Sequence, residues 1–422
     1  MELLADAQTQ HDDLVALRRE LHREPELGLE LPRTQQRVLT ALDGLPLEIT
    51  TGPDGLSSVV AVLRGGRGSN GSGASSGSGG SSRSVLLRAD MDGLPVDERT
   101  GLDFASGNGA MHACGHDLHT SMLVGAARLL AARRDELAGD VVFMFQPGEE
   151  GFDGAGHMIA DGVLDAAGRR PDAAFFMHVT SSTLPNGVVG LRPGPMMSAA
   201  DVLHVSVVGA GGHASSPHLA QDPVAVAAEI VTALQTLVTR QFDVFDPVVI
   251  TVGSLHAGTQ HNIIAERADI EATVRSFSTE NQHALGERAV RLCHGIAEAH
   301  GLRAEVEYQT LYPVTVNDVA MTDFFAATAA ELLGEPAAMI LPNPHTGSED
   351  FSRVLAEIPG AMAFLGAAVP GADPATAPSN HSPYAAFDEA VLPTGAALYA
   401  KLAIDRLAQS ASGPARTGAP LE

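Results

Sequence analysis

At 422 residues the chain is too long for one ordinary core, so two domains are the first expectation. Its 26 Lys and Arg stand against 51 Asp and Glu, and a net charge of −25 excludes polyphosphate and anionic membranes as partners. Trp is absent and aromatic residues are 4% of the chain, which leaves no stacking platform for bases or sugars. No apolar run approaches the ~20 residues of a membrane helix. The opening "MELLADAQTQHDDL" has neither the basic nor the apolar region of a secretion signal. Two cysteines, Cys114 and Cys293, make no disulfide framework, so a cytoplasmic protein is expected.

In chain order, "HDDLVALRRELHRE" places Leu14, Leu17 and Leu21 at helical spacing, and Pro25 ends the run. A second helix is predicted from Thr34 to Leu42. "LSSVVAVLRG" and "SVLLRADMDGLPV" read as strands, separated by the Gly/Ser tract at 65–83, read as a flexible exposed insertion. A helix follows from Asp117, with Leu118, Met122, Leu123, Ala126, Leu129 and Leu130 on one face. "DVVFMFQ" and "AAFFMHV" are short strands, apolar throughout, of the kind a sheet covered on both faces uses. The middle of the chain reads strand, helix, strand, strand, helix, strand, a ferredoxin-like order. Near the end "AMAFLGAA" is a strand and 385–407 a helix that Pro393 should kink or split. The last residues, "SASGPARTGAPLE", are expected to be disordered.

These elements predict an α/β fold with two domains: a central mixed sheet flanked by helices, and an inserted ferredoxin-like α+β module. The boundaries read from the sequence are 1–194 and 310–422 for the first domain and 195–309 for the insertion.

Four separate strand-to-loop regions deliver metal-type donors. "MHACGHDLH" sets Cys114 and His116 about Gly115 at a helix start. Taken alone, Cys114 there is a metal ligand, half of a Cys–His nucleophilic pair, or a buried apolar filler. "FQPGEEG" places Glu149 and Glu150 side by side in a loop after an apolar strand. They are either solvated loop charges or a ligand beside a general base. His178 ends "AAFFMHV" and His381 sits in "SNHSPYAAF", and each by itself reads as structural. "VVGAGGHAS" has the glycine spacing of a dinucleotide turn, but Pro217 and Pro223 prevent a helix from opening on it.

Taken together, "RADMDGLPV", "MHACGHDLHT", "FQPGEEG", "MHV", "GTQHNII", "GSEDF" and "NHSP" resemble the M20 metallopeptidases. The branch they resemble is subfamily D, the amidohydrolases of hippurate hydrolase, indole-acetyl-amino-acid hydrolase and N-acyl-amino-acid deacetylase type. The likeness runs from "LRRELHREPELGLE" to the C-terminal helix. It implies two divalent ions per subunit (Zn, Mn, Co or Ni) held by Cys114, His116, Glu150, His178 and His381. It implies Glu149 as the base and Asp92 as the carboxylate that orients a ligand histidine, with Asp90 nearby. The inserted module then corresponds to a lid and dimerisation domain, and His213 of the partner subunit would reach the active site. Asn262 and Arg275 are the candidates for gripping a substrate carboxylate, a task suited to the guanidinium fork.

The implied reaction is hydrolysis of the amide bond of N-acyl amino acids by a homodimer or homotetramer. A dipeptidase or carboxypeptidase with the same centre is the alternative, and a non-catalytic binding protein a more distant one. Two departures stand out. The Gly/Ser tract is longer than the loop expected there. Position 148 is Gly where many relatives carry Ala, which predicts a slightly looser backbone.

Overall fold

The computed structural model describes residues 2–67 and 83–409. The body of the Gly/Ser tract and the C-terminal tail, with the flexibility and disorder expected of them, lie outside the described residues.

The chain divides into two compact units. The first comprises Met1–Leu191, Val319–Ile340 and Ile358–Glu422, and the second Arg192–Asp318 and Leu341–Glu357.

The first unit is built on an eight-stranded mixed sheet. Its order is Leu47–Thr51, Val59–Leu63, Asp140–Gln146, Ser84–Asp90, Ala173–Thr180, Gly360–Gly366, Val189–Leu191 and Ala338–Ile340. The middle four of the sheet, from Asp140–Gln146 to Gly360–Gly366, run parallel to one another. Every residue of those four strands is buried, because helices cover both faces. The continuous apolar runs read from the sequence are the direct trace of that two-sided burial.

Helix His11–Arg23 follows the short helix Glu2–Thr9 and buries Leu14, Leu17 and Leu21. It packs on helix His116–Ala132, which also takes helix Leu392–Ala408. Each fully buried Leu contributes about 1.5–3 kcal/mol, so this three-helix contact fixes where the N-terminus of His116–Ala132 points. Pro393 does not kink a helix over 385–407. It sits in the first turn of Leu392–Ala408, where a missing N–H costs nothing, and Glu389–Val391 forms a separate 3₁₀ turn before it.

The second unit has a four-stranded antiparallel sheet in the order Val248–Ala257, Arg267–Ser276, Ala200–Val208, Arg303–Tyr312. With helices Pro223–Gln241 and Thr279–Ala299 it completes the ferredoxin-like order. The two helices and one sheet face enclose a separate aliphatic core that includes Leu203, Val205, Ile230, Leu234 and Ile270. A two-residue ribbon pairs Gly212–His213 with Ile263–Ile264. Among the described residues no helix is long and apolar enough to cross a membrane.

Candidate metal centre

The site assembles where the parallel strands of the first unit end, the place open α/β sheets reserve for ligands. Asp92 lies two residues beyond Ser84–Asp90, and Glu149 and Glu150 follow Asp140–Gln146. His178 lies near the end of Ala173–Thr180. Two glycines make the turns. Gly115 has φ +86°, and a Cβ there would stand 2.3 Å from Val179 Cγ2. Only glycine therefore lets the chain turn tightly against the strand and open helix His116–Ala132 with Cys114 and His116 on either side. Gly148 has φ +72°, and a Cβ would meet Leu29 Cδ2 at 2.5 Å. The looser backbone expected there is not found, because the left-handed turn is wedged against Leu29. His381 is held at φ +70° without being glycine, its N–H donating to Ala113 O at 3.0 Å. Such a conformation costs on the order of 1–3 kcal/mol and persists where surroundings over-determine it.

Four sequence-distant segments meet here. Cys114 Sγ lies 3.3 Å from His178 Nε2 and 3.2 Å from His381 Nε2. Glu150 Oε1 lies 3.3 Å from His381 Nε2 and 3.9 Å from His116 Nε2. Among the sets of donor atoms within 4.8 Å of one another, three overlap on the candidate ligands: Cys114, His116 and His178; Cys114, Glu150 and His381; His116, Glu149 and Glu150; a further set joins His116 to Asp90 and His119. Two sets that share one thiol make a dinuclear site for divalent ions, two per chain.

The buried polar atoms fit such ions. The buried His116 Nε2 has no hydrogen-bond partner among the described residues, and its carboxylate neighbours are Asp90 Oδ2 at 3.7 Å and Glu150 Oε1 at 3.9 Å. His178 donates from Nδ1 to Val179 O at 2.8 Å, which leaves the Nε2 lone pair facing Cys114. Leaving such groups unpaired inside a protein costs several kcal/mol, so this arrangement calls for cations.

Electrostatics agree. Burial opposes the charged ring of His116, but Asp90 and Asp92 outweigh it and hold its pKa well above the ordinary value. Cys114 and Glu150 push His381 up to about 10. Burial raises Glu150, yet His381 and His116 more than compensate and keep it below the ordinary range. Each direction describes a pocket that favours positive charge. His178 is the exception: burial keeps it neutral and its lone pair available.

Asp92 does more than face one histidine. Its Oδ1 accepts the Glu149 N–H at 3.1 Å and lies 3.3 Å from His116 Nδ1, and its Oδ2 accepts the Glu150 N–H at 3.0 Å. One buried carboxylate thus holds both the helix start and the acidic loop. Glu149 itself is buried, at 6% exposure.

Two supports escaped the sequence reading. Asn380 donates from Nδ2 to Cys114 O at 3.2 Å and to Val179 O at 3.0 Å, tying the loop of His381 to the other two segments. Asp117 is buried between Arg18 at 2.7 Å and His22 at 2.8 Å, with Glu98 3.1 Å beyond His22. The signal for this second network was present: Arg18 and His22 are spaced i, i+4 on the same helix face as Leu14 and Leu21.

The remaining candidates lie in the second unit. His213 and Asn262 are brought together on one ribbon, where the Ala214 N–H donates to Asn262 O at 3.1 Å. Both are exposed. Arg275 stands apart on Arg267–Ser276, half-buried, with Nη1 donating to Val274 O at 2.9 Å.

Fold and site together define a two-domain metallohydrolase. The chain belongs to peptidase family M20/M25/M40, whose model matches residues 86–405. It is 35% identical to thermostable carboxypeptidase 1 of Saccharolobus solfataricus, over 96% of this chain and 98% of that one. It is 34% identical to the N-acetylcysteine deacetylase of Bacillus subtilis, over 93% and 97% respectively. Among solved structures it matches the YXEP protein of Bacillus subtilis, described as a dinuclear metal binding peptidase of the M20 family. That match has a TM-score of 0.78 at 31% identity and covers 95% of this chain and 99% of that one. The chain is therefore an M20-family metallo-amidohydrolase.

Proposed function

We propose that the chain hydrolyses the amide bond of N-acyl amino acids, with Cys114, His116, Glu150, His178 and His381 holding two divalent ions (Zn, Mn, Co or Ni). The observation that carries this reading is the pair of donor sets sharing Cys114, with the buried Glu149 beside His116 and Glu150. Bound divalent ions supply Lewis-acid polarisation of a carbonyl and make water more acidic. Glu149 takes a proton from the attacking water on its carboxylate as the water oxygen bonds to the acyl carbon. It hands that proton to the amine nitrogen as the C–N bond breaks, so acid and amine leave balanced.

The second unit serves as a lid and as the contact of a homodimer or homotetramer. Ser215 donates its N–H to His213 Nδ1 at 3.2 Å, so the neutral ring carries its proton on the exposed Nε2. That N–H is suited to donate to a developing oxyanion in the partner's site, a role worth about 2.7–4 kcal/mol elsewhere. Asn262 and Arg275 grip the carboxylate of the amino acid. Asp92 orients His116 and the Glu149–Glu150 loop. With no nucleic-acid or membrane partner, the enzyme works on small molecules in the cytoplasm.

The likeness to a carboxypeptidase favours a second reading, in which the acyl side is itself an amino acid or peptide. Both readings use the same chemistry. Metal analysis of the purified protein, coupled to a panel of N-acyl amino acids against dipeptides, separates them. The proposal expects hydrolysis of the acyl amino acids that chelator abolishes and added metal restores. Hydrolysis that survives chelation but dies with a thiol reagent would instead make Cys114 the nucleophile. Bound metal with no hydrolysis would identify a binding protein.

A further inference from the structure

The third histidine of "CGHDLH", His119, has no part in the reaction as derived, yet it is fully buried within the site. Its position follows from the way the sheet opens. The ladder between Ser84–Asp90 and Ala173–Thr180 ends at the Arg88–Phe176 pair, although the second strand continues to Thr180. Beyond that point the Val179 N–H has lost its strand neighbour. His119, one turn into helix His116–Ala132, takes the neighbour's place, and its Nε2 accepts the Val179 N–H at 2.7 Å. A ring nitrogen that accepts is unprotonated, so the proton sits on Nδ1, which donates to Asp90 Oδ1 at 2.5 Å. Asp90 is anchored in turn, its Oδ2 accepting from Arg88 Nη1 at 2.6 Å.

The main chain of Val179 is therefore held on both sides of its Cα. Its N–H is fixed by His119, while its carbonyl accepts from His178 Nδ1 at 2.8 Å and from Asn380 Nδ2 at 3.0 Å. The carbonyl bond sets the tautomer and ring orientation of His178. The N–H bond fixes the His178–Val179 peptide group, which carries the Cα of His178.

We propose that His119 is a positioning residue for one of the two ions: as a tautomer-locked acceptor anchored on Asp90, it holds the His178–Val179 peptide group and with it the backbone from which His178 Nε2 is aimed at the centre. This rests on the reading of His178 as a metal ligand. The two nitrogens of His119 have separable duties, and two amides imitate them separately. In His119→Gln the amide oxygen reaches the place of Nε2 and keeps the Val179 bond. In His119→Asn the amide imitates Nδ1, keeps Asp90 and cannot reach Val179.

The test is calorimetric titration of the metal-stripped full chain with Zn²⁺, and with Co²⁺ so that the visible spectrum reports ligand geometry. Wild type, His119→Leu, His119→Asn, His119→Gln and His178→Ala are compared. The proposal expects two ions per chain in wild type. It expects one of them bound about 10–100-fold more weakly in His119→Leu and His119→Asn, with an altered Co²⁺ spectrum. His119→Gln should return to within about threefold of wild type. If the Leu variant does not fold, the Asn variant carries the same comparison with the polar pocket kept. Wild-type affinity in the Asn variant, or a Gln variant as weak as Asn, overturns the role of His119. If at the same time His178→Ala loses an ion, the ligand reading stands without it. Wild-type binding of both ions by His178→Ala overturns the ligand reading and this inference together.

Discussion

Most donors of the first unit and the candidates of the second are built in opposite ways, His381 being the exposed donor of the first. Cys114, His116, Glu150 and His178 are wholly or largely buried, and Asp92, Asn380 and the Val179 peptide hold the segments that carry them. His213 and Asn262 sit exposed on a short ribbon, held by the pairing of its two arms and a turn bond from Ser215. The difference has a physical cause. A charged or polar group taken out of water costs several kcal/mol unless it is partnered, so a buried centre must be over-determined by its own fold. An exposed donor is satisfied by water and needs no such cradle until substrate displaces that water. Metal affinity should therefore answer to changes in the first unit, and turnover with metal in place should answer to the second.

The largest expected effect lies at the boundary of the two behaviours. Glu149→Gln should lower kcat by about 10²–10⁴-fold while both ions remain bound, checked by steady-state hydrolysis beside elemental analysis. Near-normal turnover would remove Glu149 from the proton path. His213→Ala should lower kcat by about 10²–10³-fold without moving metal content or the melting temperature. A loss of metal there would break the contrast between the units. Asp92→Asn should do the reverse, weakening metal about 10–100-fold in a competitive chelator titration, because an amide cannot accept both the Glu149 and Glu150 N–H groups. Gly148→Ala is smallest in its effect on chemistry and should act through stability. The left-handed turn and the contact with Leu29 predict a loss of about 1–3 kcal/mol in denaturant unfolding.

Much of this was legible in the chain before any fold was known. Apolar strands such as "DVVFMFQ" announced a sheet covered on both faces, and the order of elements from Ala200 to Tyr312 announced the inserted module. Helix ends were harder. Pro393 looks like an interruption when periodicity alone is followed, but as the first turn of a helix it is a start signal. Gly148 looked like slack, and only its neighbour Leu29 shows it to be a wedge. Arg18 and His22 lie about a hundred residues from Asp117 and reveal their pairing with it only when helix His11–Arg23 lies against helix His116–Ala132.

What the sequence determined by itself is the chemistry: thiol, imidazole and carboxylate donors placed at the ends of strands and helices, in an acidic chain. Local spacing is enough for that, because donor type and element type are both read within a few residues. What only the tertiary structure decided is which donor side chains come within reach of one another and what holds them there. Cys114 belongs to both donor sets because Gly115 lets its turn lie against Val179. His119 meets the Val179 N–H because two strands part after Arg88 and Phe176 and leave that amide without a strand partner on that side. Those relations depend on distances between segments tens to hundreds of residues apart, and only packing sets such distances.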